Sequence, residues 1–389
     1  MKLEPFKLER FFAKYEFNVE HQISASDCES MSVGELLRLN GEEVASSSAS
    51  QTAPSQSLPR RSSPLQDLGE LTLGYTESAG DPRLRGAIGK LYRNIDPGGI
   101  LIAAPEELIF LLLTAHLKEG DHVIVTTPAY QSLTEVPRSL GCRVSPWPVE
   151  LNKGRWHLDF NFLERELGDA TKMVIVNIPH NPTGFVFTQA EKEQLTELVR
   201  RHGTLLFADE MYQQLEYAPD ASSTPFCDMY EKAISLSGLS KSYGLPGLRI
   251  GWLAAQSEGL LEPAAQLKDY TSICNSAPSE LLARAAVKNS SQLVERCRTI
   301  INDNLQLLKE FASRRRETIE LIPGQGGSVV FPRFIDGRSA ATVSKQLIQR
   351  KNLLMLPGPL FDMGDSFFRV GLGRTSFPTA LSKFEELVK

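Results

Sequence analysis

Apolar and polar positions recur along this chain with two different periods, and the switches between them predict its architecture. Over residues 3–17, Leu3, Phe6, Leu8, Phe11, Phe12 and Tyr15 fall at near-helical spacing with Glu4, Lys7, Glu9, Arg10, Lys14 and Glu16 between them. That pattern predicts a short amphipathic helix. Compact apolar runs at 122–126, 143–148, 172–178 and 204–208 follow, separated by helical stretches such as 188–202. Short β runs alternating with helices predict an α/β fold built on a mostly parallel sheet with both faces covered. In such a sheet, ligands gather beyond the carboxyl ends of the strands. Helices are expected over 82–94 and 101–117. Two further β-rich runs, 232–236 and 248–254, precede helical segments at 262–269, 279–287 and 292–314. These lead into a smaller α+β part whose strands include GGSVVFPRF, NLLMLPG and FFRVGLG.

Composition breaks this picture once. Between 42 and 64 the chain reads ASSSASQTAPSQSLPRRSSP with almost no large apolar residue, so burial cannot offset the entropy of ordering it and a mobile loop is expected. Arg60 and Arg61 give that loop a candidate anionic contact. A chain of 389 residues exceeds what one core serves and divides into domains. The expected division is an N-terminal helix and site loop (1–45), the Ser/Pro-rich loop (46–66), a large domain (67–275) and a small C-terminal domain (276–389) completed by the N-terminal helix. A formal net charge of −5 with no basic tail argues against nucleic acid or an anionic membrane as partner. Five cysteines without CxxC spacing suggest neither a disulfide framework nor a zinc site. The N-terminus has no apolar leader and no apolar run spans a bilayer, so a soluble cytoplasmic protein with no metal is expected.

Candidate chemistry centres on SLSGLSKSYGLPGLRIGW, residues 235–252. Lys241 lies between two β-rich runs in a loop of small residues, so its amine can project from a strand end into a cleft, shed solvent and attack an aldehyde. Arg249, eight positions on, offers a planar fork matched to phosphate oxygens. An isolated pair with this spacing would more often be a turn lysine and a solvated arginine. Other motifs change that balance: Tyr75 with GDPRLR after it, PAY at 128–130, PHNPTG at 179–184 and ADEMY at 208–212.

This ordered set resembles the fold-type I enzymes that use pyridoxal 5'-phosphate (PLP), the class I and II aminotransferase superfamily. Within it, LERFFAKYEF, SVGELLRL, TTPAYQSL, PWPVE, NIPHNPTG and LSKSYGLPGLRIGW are similar to capreomycidine synthase and other arginine-cyclising enzymes. The resemblance implies PLP as cofactor, Lys241 as its covalent anchor, Asp209 on the pyridine nitrogen, Tyr130 stacked on the ring, and Asn181 and Tyr212 at the phenolic oxygen. Ala104, Ser240 and Arg249 are expected at the phosphate, together with Tyr75 from a neighbouring subunit in a homodimer with shared sites. Strand alternation aims Asp209 and Glu210 at opposite faces, and the 32-residue spacing to Lys241 matches that of the family it resembles, which selects Asp209. His180 is expected to be structural. Arg369 is expected to grip the substrate α-carboxylate.

Two departures from the family pattern bear on the phosphate. Ala103-Ala104-Pro105 opens the helix where relatives have residues with free amides, and Pro105 donates no hydrogen. Gly238 stands three residues before the lysine where relatives place Ser or Thr, with Ser237 and Ser240 as open substitutes.

The implied activity is cyclodehydration of a hydroxylated L-arginine to a five- or six-membered cyclic guanidine. Ordinary amino transfer to a 2-oxo acid, or oxidation of arginine, are the competing readings. A guanidinium that must become a nucleophile needs carboxylates beside it, and Glu9, Glu16 and Asp27 are the candidates as substrate and catalytic groups, with Glu29 behind Asp27. Cys28 is expected to be a packed residue.

Overall fold

The computed structural model describes residues 2–39 and 68–388. The predicted loop at 46–66, with Arg60 and Arg61, lies outside them. The strands are β1 (His21–Gln22), β2 (Ile100–Ala103), β3 (His122–Thr127), β4 (Arg143–Asn152), β5 (Arg155–Leu158), β6 (Thr171–Asn177), β7 (Leu205–Asp209), β8 (Ala233–Gly238) and β9 (Gly251–Ala254), then β10 (Ile319–Glu320), β11 (Val329–Val330), β12 (Arg333–Phe334), β13 (Leu353–Leu354), β14 (Leu356–Pro357) and β15 (Phe368–Gly371).

Eight of them form one sheet in the order β2-β9-β8-β7-β6-β3-β4-β5. The five central strands run parallel, with β9 antiparallel to β8 and β2 and β5 folded back on β4. Val123, Val125, Met173, Ile175 and Phe207 face one apolar layer, and Ile124, Val174, Val176 and Leu206 face the other. Two-sided burial explains why these strands read as nearly continuous apolar runs. The α/β architecture with a mostly parallel sheet is therefore as expected.

The element at 101–117 differs. Ile100–Ala103 is a strand paired with Trp252 and its neighbours, and the helix begins only at Pro105, running to His116 with Ala104 as its cap. Four apolar residues are too short a run to distinguish a strand from the first turn of the helix that follows. The β5 hairpin also escaped the sequence pattern; its turn is Lys153-Gly154, both at positive φ.

The C-terminal residues form helices Ala277–Lys288, Ser290–Arg314, Ala340–Lys351 and Phe377–Val388 around a three-stranded antiparallel sheet, β11-β15-β14. Residues 24–29 lie against this sheet so closely that a Cβ on Gly371 would fall onto the Ala25 carbonyl. Here glycine is required by contact rather than by conformation. The N-terminal helix, Lys7–Tyr15, bridges the two parts. Lys7 pairs with Asp362 at 2.5 Å on one side, while its N–H donates to Gln131 Oε1 at 2.9 Å on the other.

Candidate active site

The central parallel strands end along one edge, and the expected motifs sit there in lateral order. β8 leads to Lys241, β7 ends in Asp209, β6 ends in Asn177, and β3 is followed by Tyr130. Asp209 is in register with Asn177 on one side and Leu236 on the other. Asn177 braces the edge: its Nδ2 donates to the Asp209 carbonyl at 3.1 Å, and its Oδ1 accepts from the Asn181 N–H at 2.8 Å. A cavity of about 360 Å³ opens over this edge. Glu9, Glu16, Asp27, Tyr130, Asn181, Asp209, Tyr212, Ser240, Lys241, Arg249 and Arg369 all line it. Ala104 and Tyr75 do not. Ala104 caps the helix with its carbonyl, which accepts from Leu108 N–H at 3.0 Å. Tyr75 is 92% exposed.

The floor of the cavity separates two adjacent acids. Asp209 faces it, and burial pushes its carboxyl up to about 7 against a hydrogen bond from Met211 N–H and the nearby Lys241 charge. Glu210 faces away, 3.8 Å from the buried Lys192 ammonium, as strand alternation requires. His180 is buried and bonded to Thr183 Oγ1 at 2.8 Å; burial lowers it to about 4, so it is a neutral packed group. Arg369, 1% exposed, donates to the Ser24 carbonyl from Nε and Nη2 at 3.1 and 2.9 Å and to Asn181 Oδ1 from Nη1 at 3.0 Å.

The N-terminal helix presents Leu8, Glu9, Phe12 and Glu16 to the cavity, one face of a helical repeat. Its acids differ in circumstance. Glu9 accepts from the Tyr130 hydroxyl at 3.0 Å. Asp27 lines the cavity with a partner of its own, Arg374, which donates to its two oxygens at 3.1 Å from Nε and 2.5 Å from Nη2. Glu29 accepts through Oε2 from Thr375 N–H and Oγ1, both at 2.8 Å. The Glu16 carboxyl makes no hydrogen bond among the described residues; burial, then the charges of Asp27 and Glu9, raise its pKa.

Several residues of the site, Asn177 among them, escaped the sequence reading. Arg374 follows FFRVGLG directly and carried no local signal of its distant partner. Ser26, next to the candidate Asp27 in sequence, accepts a hydrogen bond from Lys241 Nζ at 2.9 Å. Glu106, in the first turn of the Pro105 helix, lines the cavity and accepts from Ser132 Oγ at 3.3 Å. Burial pushes it up to about 8 with help from Glu9 and Asp209, so at neutral pH it brings mostly no negative charge to that helix end.

The cavity suits PLP on its own evidence. Ser240 Oγ is buried without a hydrogen-bond partner, close to Arg249 in sequence and sharing the same cavity. An unpartnered buried hydroxyl is costly unless a ligand completes it. Asp209 is a buried carboxyl in want of a cation. An anion at the Arg249 end and a protonated ring nitrogen at the Asp209 end would satisfy both. Of the two substitutes left open for Gly238, Ser240 lines the cavity and Ser237 does not. Gly238 itself is sterically fixed, since an added Cβ would lie 2.9 Å from Gly251 Cα.

Comparison with known proteins identifies the family. A family model for aminotransferase class I and II matches residues 26–377. Capreomycidine synthase of Streptomyces vinaceus is 30% identical over 308 residues, 79% of this chain and 78% of that protein. A PLP-dependent aminotransferase from Streptococcus suis superposes with a TM-score of 0.89 at 28% identity, covering 100% of this chain and 97% of the other. The PLP-dependent cyclase OrfR superposes at 0.87 with 26% identity, covering 100% and 98%. The chain is a member of the class I and II aminotransferase family, a fold-type I enzyme whose cofactor is pyridoxal 5'-phosphate.

Proposed function

We propose that the protein is a cyclodehydratase converting a hydroxylated L-arginine to a cyclic guanidine amino acid of capreomycidine or enduracididine type. The observation that carries this reading is the Glu16 carboxyl, which faces the cavity from the N-terminal helix without a hydrogen-bond partner among the described residues. A cationic side chain reaching past Lys241 would supply the missing partner. The likeness to capreomycidine synthase and to the cyclase OrfR supports the same choice.

Bound PLP supplies the electron sink that lets a bond at Cα break. Lys241 would anchor it, and the lysine amine, when free, would take the proton at Cα. Asp209 would hold the proton on the ring nitrogen, Tyr130 would pack against the ring, and Asn181 and Tyr212 would flank its phenolic oxygen. Ser240 and Arg249 would hold the phosphate. Arg369, oriented by Ser24 and Asn181, offers its remaining N–H groups to the substrate carboxylate. A guanidinium stays protonated at neutral pH, so Glu16 both binds it and accepts its proton before it attacks. Attack at Cβ closes a six-membered ring and attack at Cγ a five-membered one. Glu9 and Asp27, already bonded to Tyr130 and Arg374, shape the acid wall and raise the Glu16 pKa. The working unit we propose is a cytoplasmic homodimer. Leu73, Tyr75 and Tyr270, 80, 92 and 88% exposed, are the large apolar groups it would cover.

Similarity to the Streptococcus suis aminotransferase favours amino transfer as the second reading. Mass analysis after incubation of the PLP-loaded protein with Cβ- and Cγ-hydroxyarginine separates the two. The cyclase reading expects a product lighter by one water with no 2-oxo acid consumed, and Glu16→Gln slower in kcat by about 10²- to 10⁴-fold while Cα–H still exchanges with deuterated solvent. Consumption of 2-oxo acid in step with the amino acid, without a dehydrated product, replaces it by the transaminase; oxygen uptake with arginine replaces it by the oxidase.

A further inference from the structure

Loss of a hydroxyl needs something amino transfer does not: a proton for the departing oxygen, delivered beside the base that has just taken one from carbon. Ser26 is the hydrogen-bond partner of Lys241 Nζ among the described residues, at 2.9 Å, and it lines the cavity. In that bond the serine oxygen accepts, which leaves its own proton free to donate. The segment carrying it is firmly placed. The Ser26 carbonyl accepts from Ser328 Oγ at 2.6 Å, Ser24 Oγ donates to the Arg369 carbonyl at 2.7 Å, and Asp27 is clamped by Arg374. Such a hydroxyl is held in position without being consumed by its neighbours.

We propose that Ser26 passes the proton collected by Lys241 to the leaving hydroxyl of the substrate. The idea rests on the dehydratase reading above. Lys241 takes the proton from the carbon adjacent to the C–O bond, and the electron pair of that C–H bond becomes the second bond of the alkene. The C–O bond breaks with its pair on oxygen. Ser26 gives this oxygen its Oγ proton and is restored by a proton from the Lys241 ammonium. The sum is one alkene and one water, with both side chains returned to their starting state and no outside acid or oxidant. Glu16 remains deprotonated for the guanidinium, so the two proton transfers do not compete for one group.

Ser26→Ala and Ser26→Thr, compared as PLP-loaded enzymes with hydroxyarginine, test the relay. Ser26→Ala should slow water loss by about 10²-fold or more and slow Cα–H exchange far less, and Ser26→Thr should recover most of the loss. An analogue with chloride in place of the hydroxyl needs no proton to depart, so Ser26→Ala should process it nearly as fast as the parent. A readout independent of turnover uses protein freed of cofactor: reductive methylation of Lys241, followed by mass spectrometry, should be faster in Ser26→Ala because the hydroxyl anchoring its ammonium is gone. Equal loss of exchange and elimination, with no rescue by chloride, would reduce Ser26 to a positioning residue and sink the relay. Unchanged elimination in Ser26→Ala would remove it altogether. A parent enzyme that cyclises no hydroxyarginine overturns the dehydratase reading and the relay together, an outcome distinct from either.

Discussion

Asp209 and Glu210 are adjacent in sequence, equally acidic and both buried, yet only the first meets the cavity. The difference is strand alternation, which the sequence displays. Glu210 finds Lys192 behind the sheet; Asp209 meets a cavity and is pushed from 3.8 to about 7 by burial. Without cofactor, ionising it opposes folding. The penalty is absent below pH 3.8, grows between 3.8 and about 7, and is complete above that. At 1.36 kcal/mol per unit it is on the order of 4 kcal/mol. Asp209→Asn should therefore raise the melting temperature of cofactor-free protein at pH 8 by several degrees and leave it nearly unchanged at pH 4, while PLP affinity falls. Equal shifts at both pH values would mean that the carboxylate charge is not the cause. Lys241, Asp209 and Asn181 follow strand ends in the sequence, and that position alone predicts that they meet at the cavity, as they do. Ser26 and Arg374 were not legible: their partners stand 215 and 347 positions away, and a serine or arginine in a loop shows nothing of such a contact until the chain is folded.

The Pro105 helix is where element and chemistry meet. A proline at the first helical position leaves no orphan amide there, which reads in sequence as a lost phosphate contact. Packing adds a reason. Gly251, at the start of β9, sits between the Pro105 ring and the β8 strand: a Cβ on it would lie 2.8 Å from Pro105 Cγ and 2.9 Å from the Ser237 carbonyl. Gly238 meets Gly251 from the other side. The two departures from the family pattern are thus parts of one close approach of helix, β9 and β8, and neither changes alone without cost. Pro105→Ser should restore an amide donor and tighten PLP binding by roughly 2- to 10-fold, the range of one net hydrogen bond. It should also lower the melting temperature of the cofactor-free protein, because the ring contact is lost. Titration of PLP absorbance and a thermal melt read the two effects separately. Affinity that stays level would show that Ser240 and Arg249 already fill the gap. Period switching located most elements; it failed at 100–104 because a four-residue apolar run is too short for its period to tell a strand from a helical turn.

At the scale of the whole molecule, the resemblance implies that Tyr75 of a neighbouring subunit reaches the phosphate. Within its own chain Tyr75 lies outside the cavity and is 92% exposed beside Leu73 at 80%. A large aromatic left so open, with Tyr270 equally exposed, is what a second copy would cover. The resemblance supplied this expectation; neither period nor composition could, because a surface aromatic looks alike in sequence whether it meets water or a partner. If Tyr75 serves the neighbouring site, each site takes Lys241 from one subunit and Tyr75 from the other. Lys241→Ala dimers should then be inactive and Tyr75→Ala dimers impaired through weak PLP binding. A hybrid of the two holds one site with both defects and one with neither. Mixing the variants under conditions that exchange subunits should therefore regain activity, approaching half the parent value per hybrid dimer, with parent-like PLP affinity in the restored site. A Tyr75 that acted within its own chain would leave no intact site in the hybrid. Activity of the mixture equal to the sum of its separate parts, with hybrids demonstrated by mass, would place Tyr75 outside the shared site.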